Sequence, residues 1–328
     1  MLVLPIARSE GAPPAWVVEE GAPRVCIRDD FLARAKERCG EVKACHGDAA
    51  WRTAVNYVDP CAQLPTQRRV ASRAYFKWVE LSSLVDVRPG QRVLHLCEAP
   101  GGFAQASHDL KLHWTAHSLH TPTSIRFRRL PPDGLLVRHV PAGGDLLDDA
   151  ALAHLTSTLR GYDHVTADGS LDFEQDHANA EACNFALALR EAVVARRALA
   201  PGGSFTLKLF DVTLECTWGL VQMLAHWFDR VSLCKPQSSR ASNGEVYAVC
   251  TGFRDTGEAD VATPTGPVAS FGAPTSDAAL CAALADARFR RSQLAALTAA
   301  CDVCSGKRLV ACTDASAEWW ATYGRRVA

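Results

Sequence analysis

The chain has 328 residues, of which 48% are hydrophobic, and its formal net charge is −1. This length and apolar content suffice for a large buried core, and the near-neutral charge excludes a global positive field that would draw the protein to nucleic acid. No apolar run approaches the roughly 18 residues of a membrane-spanning helix, and Pro5 interrupts the apolar start too early for a secretory signal. We therefore expect a soluble, intracellular protein whose nucleic-acid contacts come from local basic patches.

The residue pattern divides the chain into four parts. Residues 1–64 form an N-terminal extension with a helical stretch around Asp30–Glu41, and residues 65–253 alternate between helix-like and strand-like segments. Residues 254–276 are rich in Gly, Pro, Thr, Ala and Ser and predict a linker. Residues 277–328 predict a small C-terminal helical segment, chiefly Asp277–Ala300. The fold is therefore expected to reside in residues 65–253.

The alternating region predicts an α/β fold. Helices are expected at Arg68–Leu84, Phe103–Leu110, Asp148–Leu159, His177–Ala200 and 213–228. Strands are expected at Arg92–Cys97, His113–Ser118, Leu135–Val140, His164–Ala167, 204–210, 230–235 and 245–252. Such alternation implies a mostly parallel seven-stranded sheet with helices on both faces, and the last two strands predict an antiparallel edge hairpin.

The thirteen cysteines are scattered along the chain. Several lie in apolar segments, where cysteine behaves as a small hydrophobic residue, and this usage suits a reducing compartment rather than a disulfide framework. Cys301 and Cys304, with Cys312, resemble part of a zinc site, and Cys281 could supply a fourth ligand. Because the diagnostic spacing of a fourth ligand is missing, we predict no metal site.

Leu94–Phe103 reads LHLCEAPGGF, an apolar run that breaks into Pro100, Gly101 and Gly102. In a doubly wound sheet this loop lies at the carboxyl edge, where glycines let a ligand approach the backbone and where helix N-terminal amides face it. The loop matches neither G-x-G-x-x-G nor the phosphate-binding G-x-x-x-x-G-K-[ST] pattern, which disfavours a dinucleotide or an ATPase site. A turn without a ligand is the alternative for this segment taken alone.

Four ionisable residues stand at or near apolar runs. Asp168 follows the predicted strand HVTA, Lys208 lies inside FTLKLF, and Glu245 begins the last strand. Lys77 lies on the amphipathic stretch before the glycine loop. A buried lysine at position 208 needs a partner, and Asp168 on a neighbouring strand could provide it. A structural salt bridge and an ordinary edge-strand charge are the alternative interpretations.

These segments together resemble the FtsJ-like family of RNA ribose 2′-O-methyltransferases. The resemblance runs from about Gln67 to Phe253 and is carried by SRAYFKWVEL, LHLCEAPGGF, HWTAHSLH, GGDLLD, VTADGSLDF, GGSFTLKLF and FDRVSLCKPQSSRASNGEVYAVC. Within the family the chain is similar to the adrift-type messenger-RNA cap methyltransferases of eukaryotes and large viruses, and more to the cap-2 than to the cap-1 branch. The resemblance implies a Rossmann-like, S-adenosylmethionine-dependent methyltransferase domain over residues 65–253.

The resemblance also implies the roles of individual residues. The family's catalytic Lys-Asp-Lys-Glu tetrad matches Lys77, Asp168, Lys208 and Glu245. We expect Lys208 to be the general base, neutral for part of the time because burial and nearby positive charges oppose its own charge. Lys77 and Glu245 would orient the ribose hydroxyl, and Asp168 would hold Lys208.

For the cofactor, the resemblance implies S-adenosylmethionine held by Pro100, Gly101, Gly102, Trp114, Asp145 and Asp168, with no metal. Trp114 could equally be a core residue. The acidic residue that commonly binds the cofactor ribose is missing, and His117 or Ser118 could substitute for it.

RNA contacts are expected from basic residues and from the loop 236–244. The candidate patches are Arg68, Arg69, Arg73 and Lys77; Arg126, Arg128 and Arg129; and Lys235 with Arg240. The aromatic residues Trp51, Tyr57, Tyr75 and Trp78 lie upstream, but none is assigned to a cap pocket because each is as compatible with a core.

The sequence thus predicts methylation of a ribose 2′-hydroxyl in mRNA, at the first or second transcribed nucleotide of the 5′ cap. Two alternatives are a ribosomal- or transfer-RNA 2′-O-methyltransferase and a catalytically inactive RNA-binding scaffold. Capped mRNA is the expected partner, with other capping enzymes or RNA polymerase as further partners. The expected location is the nucleus or cytoplasm of a eukaryotic, or virus-infected, cell.

Overall fold

The computed structural model describes residues 1–6, 16–27, 29–121, 124, 126–128, 130–171, 179–256, 261–264, 267–272, 287–307 and 313–327. Its strands are β1 Leu2–Ile6, β2 Val18–Glu20, β3 Arg92–Leu96, β4 His113–Ala116, β5 Leu135–Leu136, β6 Tyr162–Ala167, β7 Leu199–Phe210, β8 Phe228–Lys235, β9 Glu245–Phe253 and β10 Val268–Phe271. Its helices are α1 Asp30–Tyr57, α2 Leu64–Gln67, α3 Ala74–Leu81, α4 Gly102–Asp109, α5 Asp149–Thr158, α6 Ala180–Ala198, α7 Glu215–Trp227, α8 Ala287–Cys304 and α9 Ser316–Tyr323.

The main sheet has eight strands in the order β1-β8-β9-β7-β6-β3-β4-β5. Strands β3 to β8 run parallel to one another, whereas β9 lies antiparallel between β7 and β8. The predicted mostly parallel α/β fold is therefore confirmed. The predicted number of seven strands is wrong, because β1 adds an eighth strand antiparallel to β8, with Leu4 opposite Leu233.

Strand β1 also changes the position of the predicted hairpin. Strands β8 and β9 do form an antiparallel pair, but β1 covers β8, so the hairpin is not at the edge of the sheet. An uncovered β8 would present unpaired backbone groups, and pairing with β1 satisfies them. The first residues of the N-terminal extension thus complete the main sheet.

The structure refines the predicted elements outside the central sheet. Helix α1 extends to Tyr57, well beyond the predicted Glu41, although the backbone of Gly47 (φ 82°) interrupts it. The predicted linker contains β10, which pairs with β2 and has buried side chains. The C-terminal part contains α8, which packs on α1, whereas residues 277–286 lie outside the described residues. The division into four parts stays a prediction.

Helices cover both faces of the sheet. On one face α5, α6 and α7 pack over a core that includes Leu189, Leu207 and Trp227. On the other face α3 and α4 form a second core around Trp78 and Phe103, whose rings stack 5.6 Å apart. No helix in the described residues is long and apolar enough to span a lipid bilayer. The candidate functional site lies at the carboxyl edge of the sheet, beside α3.

The contact between α7 and β10 gives a first prediction. A Cβ atom on Gly219 would lie 1.7 Å from the carbonyl oxygen of Phe271, so Gly219→Ala would force β10 away from the core. We expect this variant to lose about 1–3 kcal/mol of unfolding free energy. The control is Gly40→Ala in α1, where a Cβ meets nothing within 4 Å and helix propensity should add about 0.5–1 kcal/mol.

Urea unfolding of both variants checks this prediction. Equal stability of Gly219→Ala and the unchanged protein would show that residues 268–271 do not pack on α7 in solution.

Candidate functional site

The four ionisable residues selected from the sequence converge at the carboxyl edge of the sheet. Asp168 directly follows β6, and Lys208 lies two residues before the end of β7. Strand β9 runs in the opposite direction, so its first residue, Glu245, lies opposite Phe210 at the same edge. Lys77 reaches the edge from α3. The topology therefore brings together residues that are up to 168 positions apart in the chain.

Two lysine–carboxylate pairs form the centre of the site. The Nζ atom of Lys77 lies 2.8 Å from each carboxylate oxygen of Glu245. The Nζ atom of Lys208 donates to the backbone carbonyl of Asp168 at 2.7 Å and lies 3.3 Å from Asp168 Oδ1. All four side chains are largely buried. Because each charge has an opposite charge beside it, the cost of removing these groups from water is offset.

Tyr247 joins the two pairs and was missed by the sequence analysis. Its hydroxyl donates to Asp168 Oδ1 at 2.7 Å and accepts from Lys77 Nζ at 3.2 Å. Burial raises the pKa of Tyr247 well above its ordinary value, which keeps the hydroxyl as a neutral donor. The sequence could have indicated this role for Tyr247. Residues two positions apart on a strand lie on the same face of the sheet, and Glu245 lies two positions before Tyr247.

The electrostatics keep the Lys77–Glu245 pair ionised. Burial acts to raise the pKa of Glu245, but the positive charges of Lys77, Lys208 and Lys235 outweigh it and hold this pKa at about 2. Burial acts to lower the pKa of Lys77, yet the Glu245 and Asp168 carboxylates produce a net increase. Both groups therefore stay charged throughout the neutral pH range.

Lys235 fixes the backbone on the other side of Glu245. Its Nζ atom donates to the Glu245 carbonyl at 2.8 Å and to the carbonyl and side-chain oxygens of Asn243, each at 2.7 Å. Burial lowers the pKa of Lys235 to about 8. Since its hydrogens are engaged by the protein itself, Lys235 is a structural residue rather than the RNA contact that its charge predicted.

Glu80, which is fully buried, anchors the loop 236–244 and was not singled out from the sequence. Its carboxylate accepts from the backbone amides of Gln237 and Ser238 at 2.7 and 2.8 Å, and from Trp319 Nε1 at 2.8 Å. In the same loop Ser239 Oγ donates to Glu245 at 2.8 Å. A buried carboxylate on α3 thus connects the C-terminal helix α9 to the site.

The glycine loop follows β3 at the same edge. Gly101 adopts φ 110°, a conformation that favours glycine, and α4 begins at the next residue. A Cβ on Gly102 would lie 2.3 Å from Ser72 Oγ and 2.8 Å from the Tyr75 amide nitrogen, so Gly102 is needed where α4 meets the start of α3. Pro100 accepts the Arg128 amide at 2.7 Å through its carbonyl oxygen.

Three further side chains bear on cofactor binding. Trp114 is buried within the core, and Gly134 lies so close that a Cβ there would be 1.9 Å from the indole ring. Asp145 accepts the Leu147 amide at 2.9 Å through one oxygen. Both ring nitrogens of His117 are buried, and among the described residues neither has a partner within hydrogen-bond geometry. Burial lowers the pKa of His117 to about 4.

These observations test the fit of S-adenosylmethionine. A nucleoside with an amino-acid tail needs hydrogen-bonding groups and apolar walls, which His117, Asp145 and Trp114 can supply at this edge. The residues Arg128 and Leu130 lie against Gly101, since a Cβ there would be 2.9 Å from the Leu130 side chain. The His117 imidazole is neutral and buried, and its nearest polar neighbour is the Gly144 backbone, whereas Ser118 is engaged with the Ala99 amide at 3.3 Å. The residues present therefore fit this cofactor, and of the two substitutes His117 is the better candidate. The assignments of Pro100, Gly101, Gly102, Trp114, Asp145 and Asp168 stay predictions.

Two arginines of the predicted RNA-binding patches already form ion pairs within the protein. Arg68 pairs with Asp109 at 2.6 Å, and Arg73 pairs with Asp59 at 2.6 Å. Arg129 lies outside the described residues. Of the four candidate aromatic residues, Tyr75 and Trp78 are fully buried in the core and cannot stack on a base, and Trp51 packs between α1 and α8; Tyr57 is the exposed one.

The cysteines considered for zinc do not form a site in the part of the chain that the structure describes. Cys301 is buried, with its sulfur 3.3 Å from that of Cys39, and Cys281 and Cys312 lie outside the described residues. No group of three or more metal-ligating side chains is found among the described residues.

Comparisons with known proteins bear on this site. A family model described as FtsJ-like methyltransferase matches residues 70–253, more than half of the chain. A Mus musculus protein named cap-specific mRNA (nucleoside-2′-O-)-methyltransferase 2 is 36% identical over 181 residues, which cover 49% of this chain and 24% of that protein. A Trypanosoma cruzi protein named cap-specific mRNA (nucleoside-2′-O-)-methyltransferase 1 is 32% identical, covering 49% and 48%.

A third relative is viral. The African swine fever virus protein named probable methyltransferase EP424R is 25% identical over 207 residues, covering 55% of this chain and 49% of that protein. The matches thus span less than half the length of each of these relatives.

A buried carboxyl group beneath Asp168 yields a prediction on pH. Glu191 on α6 lies so near Gly169 that a Cβ there would be 2.3 Å from its carboxyl oxygen, and burial raises the pKa of Glu191 to about 8. The unfolded chain releases this proton near the ordinary value of 4.5, whereas the folded protein keeps it, so stability falls as pH rises through this window.

We expect Glu191→Gln to reduce the loss of unfolding free energy between about pH 5 and pH 8 by roughly 3–4 kcal/mol. Thermal unfolding across this range measures the effect, with Glu318→Gln on the exposed side of α9 as the control. A slope against pH that is the same in all three proteins would contradict a protonated Glu191.

Proposed function

Since this chain belongs to the FtsJ-like methyltransferase family, we propose that it transfers a methyl group from S-adenosylmethionine to a ribose 2′-hydroxyl of capped messenger RNA. The methylated nucleotide is the first or second transcribed one. The observation that carries the proposal is the continuous network of Lys77, Glu245, Tyr247, Asp168 and Lys208 beside the glycine loop. The names of the relatives support the RNA cap as the substrate.

S-adenosylmethionine, when bound, supplies an electrophilic methyl group. The residues that would hold it are the backbone at Pro100–Gly102 and the side chains of His117 and Asp145, with Trp114 as part of the apolar wall. Asp168 belongs to both the cofactor side and the catalytic side, since it follows β6 between the glycine loop and Lys208.

The hydrogen bonds of the two lysines support different roles for them. An ammonium group has three hydrogens, and those of Lys77 have three acceptors: the two oxygens of Glu245 and the hydroxyl of Tyr247. Among the residues that the structure describes, Lys208 has two acceptors, the carbonyl and Oδ1 of Asp168. A neutral Lys208 keeps two hydrogens for Asp168 and leaves its lone pair for the substrate, which makes it the general base.

The chemical step then follows from these positions. The ribose hydroxyl would give its proton to Lys208 Nζ as its oxygen bonds to the methyl carbon. The bond between that carbon and the sulfonium sulfur would break with its electron pair on sulfur, so that S-adenosylhomocysteine leaves. Lys77 stays charged and, with Glu245, orients the hydroxyl. The carbonyl and carboxylate of Asp168 hold Lys208 in place, and Tyr247 holds the Asp168 carboxylate. Much of the acceleration comes from holding the two reactants in line, because a positioned reaction avoids the entropic cost of a bimolecular encounter.

The intact network also bears on the alternatives. A scaffold that only binds RNA has no need for two buried lysines, whose burial is costly unless each is paired. A ribosomal- or transfer-RNA methyltransferase could use the same network, and the names of the relatives favour mRNA over these substrates. Within the same proposal, the enzyme acts in the nucleus or cytoplasm, with other capping enzymes or RNA polymerase as partners.

Methyl transfer from labelled S-adenosylmethionine to a panel of RNAs tests the proposal. The panel contains uncapped, cap-0 and cap-1 transcripts, and nuclease mapping locates the label. We expect label at the second nucleotide of cap-1 RNA or the first nucleotide of cap-0 RNA. Lys208→Ala should reduce turnover by about 10²–10⁴-fold while S-adenosylmethionine still binds.

The matched control is Lys43→Ala, because Lys43 lies on α1 in a partly exposed pair with Asp48. Equal label on uncapped RNA would favour the ribosomal- or transfer-RNA alternative. Cofactor binding without transfer to any RNA would favour the scaffold.

A further inference from the structure

A cavity of about 490 Å³ opens beside α3, and the N-terminal extension builds part of its wall. It is lined by Asn56 at the end of α1, by residues between Ala62 and Arg73, and by Arg240 of the loop 236–244. Its volume lies in the range of small-molecule sites. Several of its lining residues precede position 70, where the match to the family model begins, so this cavity is not a feature of the matched domain alone.

The cavity is positively charged. Three arginines, Arg69, Arg73 and Arg240, contribute to its lining, and none of the lining residues is acidic. Asp59 is paired with Arg73 at 2.6 Å, and the Asp59 and Glu245 carboxylates both act on the charge of Arg240. Among the described residues neither Arg69 nor Arg240 forms an ion pair with a carboxylate. The planar guanidinium group matches the geometry of phosphate oxygens, so these two arginines are suited to an anionic ligand.

The rest of the lining suits a nucleotide. Ala62, Pro65 and Val70 provide apolar surface. Asn56 and Thr66 add polar groups, of which Asn56 Oδ1 accepts from Arg240 at 3.4 Å and the Thr66 hydroxyl donates to the Gln63 carbonyl at 2.7 Å. An isolated inorganic anion needs none of this apolar surface, whereas a nucleoside attached to a phosphate uses both parts. The combination therefore favours a phosphate-bearing nucleotide over a free anion.

The cavity is connected directly to the catalytic network. Arg73 precedes Lys77 by four residues, which places the two side chains on the same side of the chain as it enters α3. Arg73 Nε donates to the Ser238 carbonyl at 2.6 Å, and the neighbouring Ser239 donates to Glu245. Both the cavity and the network are thus built on α3 and the loop 236–244.

We propose that this cavity binds a phosphate-bearing nucleotide of the RNA that flanks the reactive ribose. Arg69 and Arg240 are the phosphate ligands, and Arg73, held by Asp59 and the Ser238 carbonyl, positions the wall between the cavity and the network. The inference rests on the proposed function, because it takes the RNA as the substrate. The phosphate comes either from a phosphodiester of the strand or from the triphosphate of the cap.

Binding of a short fluorescent RNA, measured by anisotropy at several salt concentrations, tests this proposal without requiring methyl transfer. The test variant is Arg69→Ala with Arg240→Ala. The control, Arg88→Ala with Arg230→Ala, removes the same charge from two exposed positions elsewhere. We expect the test variant to bind roughly 10- to 100-fold more weakly than the control, with a salt slope lower by roughly 0.7 for each lost phosphate contact.

A capped and a 5′-hydroxyl RNA distinguish the two sources of phosphate. Equal weakening of both RNAs assigns the cavity to a phosphodiester of the strand, and weakening of the capped RNA alone assigns it to the cap triphosphate. Arg69→Lys with Arg240→Lys should recover most of the binding, because the positive charges return.

Equal affinity of the test and control variants would overturn the proposal, and so would the absence of RNA binding by the unchanged protein. Lys208→Ala should bind RNA with the affinity of the unchanged protein. The anisotropy measurement therefore does not depend on methyl transfer. An arginine-dependent RNA affinity without methyl transfer to any RNA would refute the proposed function and leave the cavity's assignment standing.

Discussion

The burial of two lysines and two carboxylates in mutual contact is the constraint on which the rest of the structure depends. Any one of these charges left alone in the interior would cost several kcal/mol, so all four must arrive together. They come from α3, from the end of β6, from β7 and from the start of β9. The relative positions of these four elements are therefore fixed by electrostatics as well as by apolar packing, and a shift in any one would break a pair.

The parts of the chain outside the matched domain support this arrangement. Helix α9 reaches Glu80 through Trp319, and Glu80 holds the loop that contacts Glu245. Asp59, before α2, holds Arg73 at the start of α3. Strand β1 covers β8, whose last residue Lys235 fixes the backbone of Glu245. Segments from both ends of the chain thus hold α3, which carries Lys77, and the loop 236–244, which precedes Glu245.

The sequence predicts the network well because each of its charged residues stands at or near an apolar run. In a parallel sheet the ends of such runs meet at one edge, and an antiparallel strand contributes its first residue there, as Glu245 does. Tyr247 gave no such signal, because a tyrosine in a strand is ordinary. Glu80 and Glu191 look like polar positions of amphipathic helices, and only the three-dimensional packing shows that they are buried. Strand β1 pairs with residues some 230 positions away, a choice that local pattern does not encode.

The central claim is that the network activates a ribose 2′-hydroxyl, and removal of that one oxygen atom tests it most directly. The measurement is methyl transfer to capped RNAs that carry a single 2′-deoxy sugar at the first or at the second transcribed nucleotide. We expect one of these substitutions to abolish transfer while the other leaves it nearly unchanged. Full transfer to an RNA that carries both substitutions would contradict it.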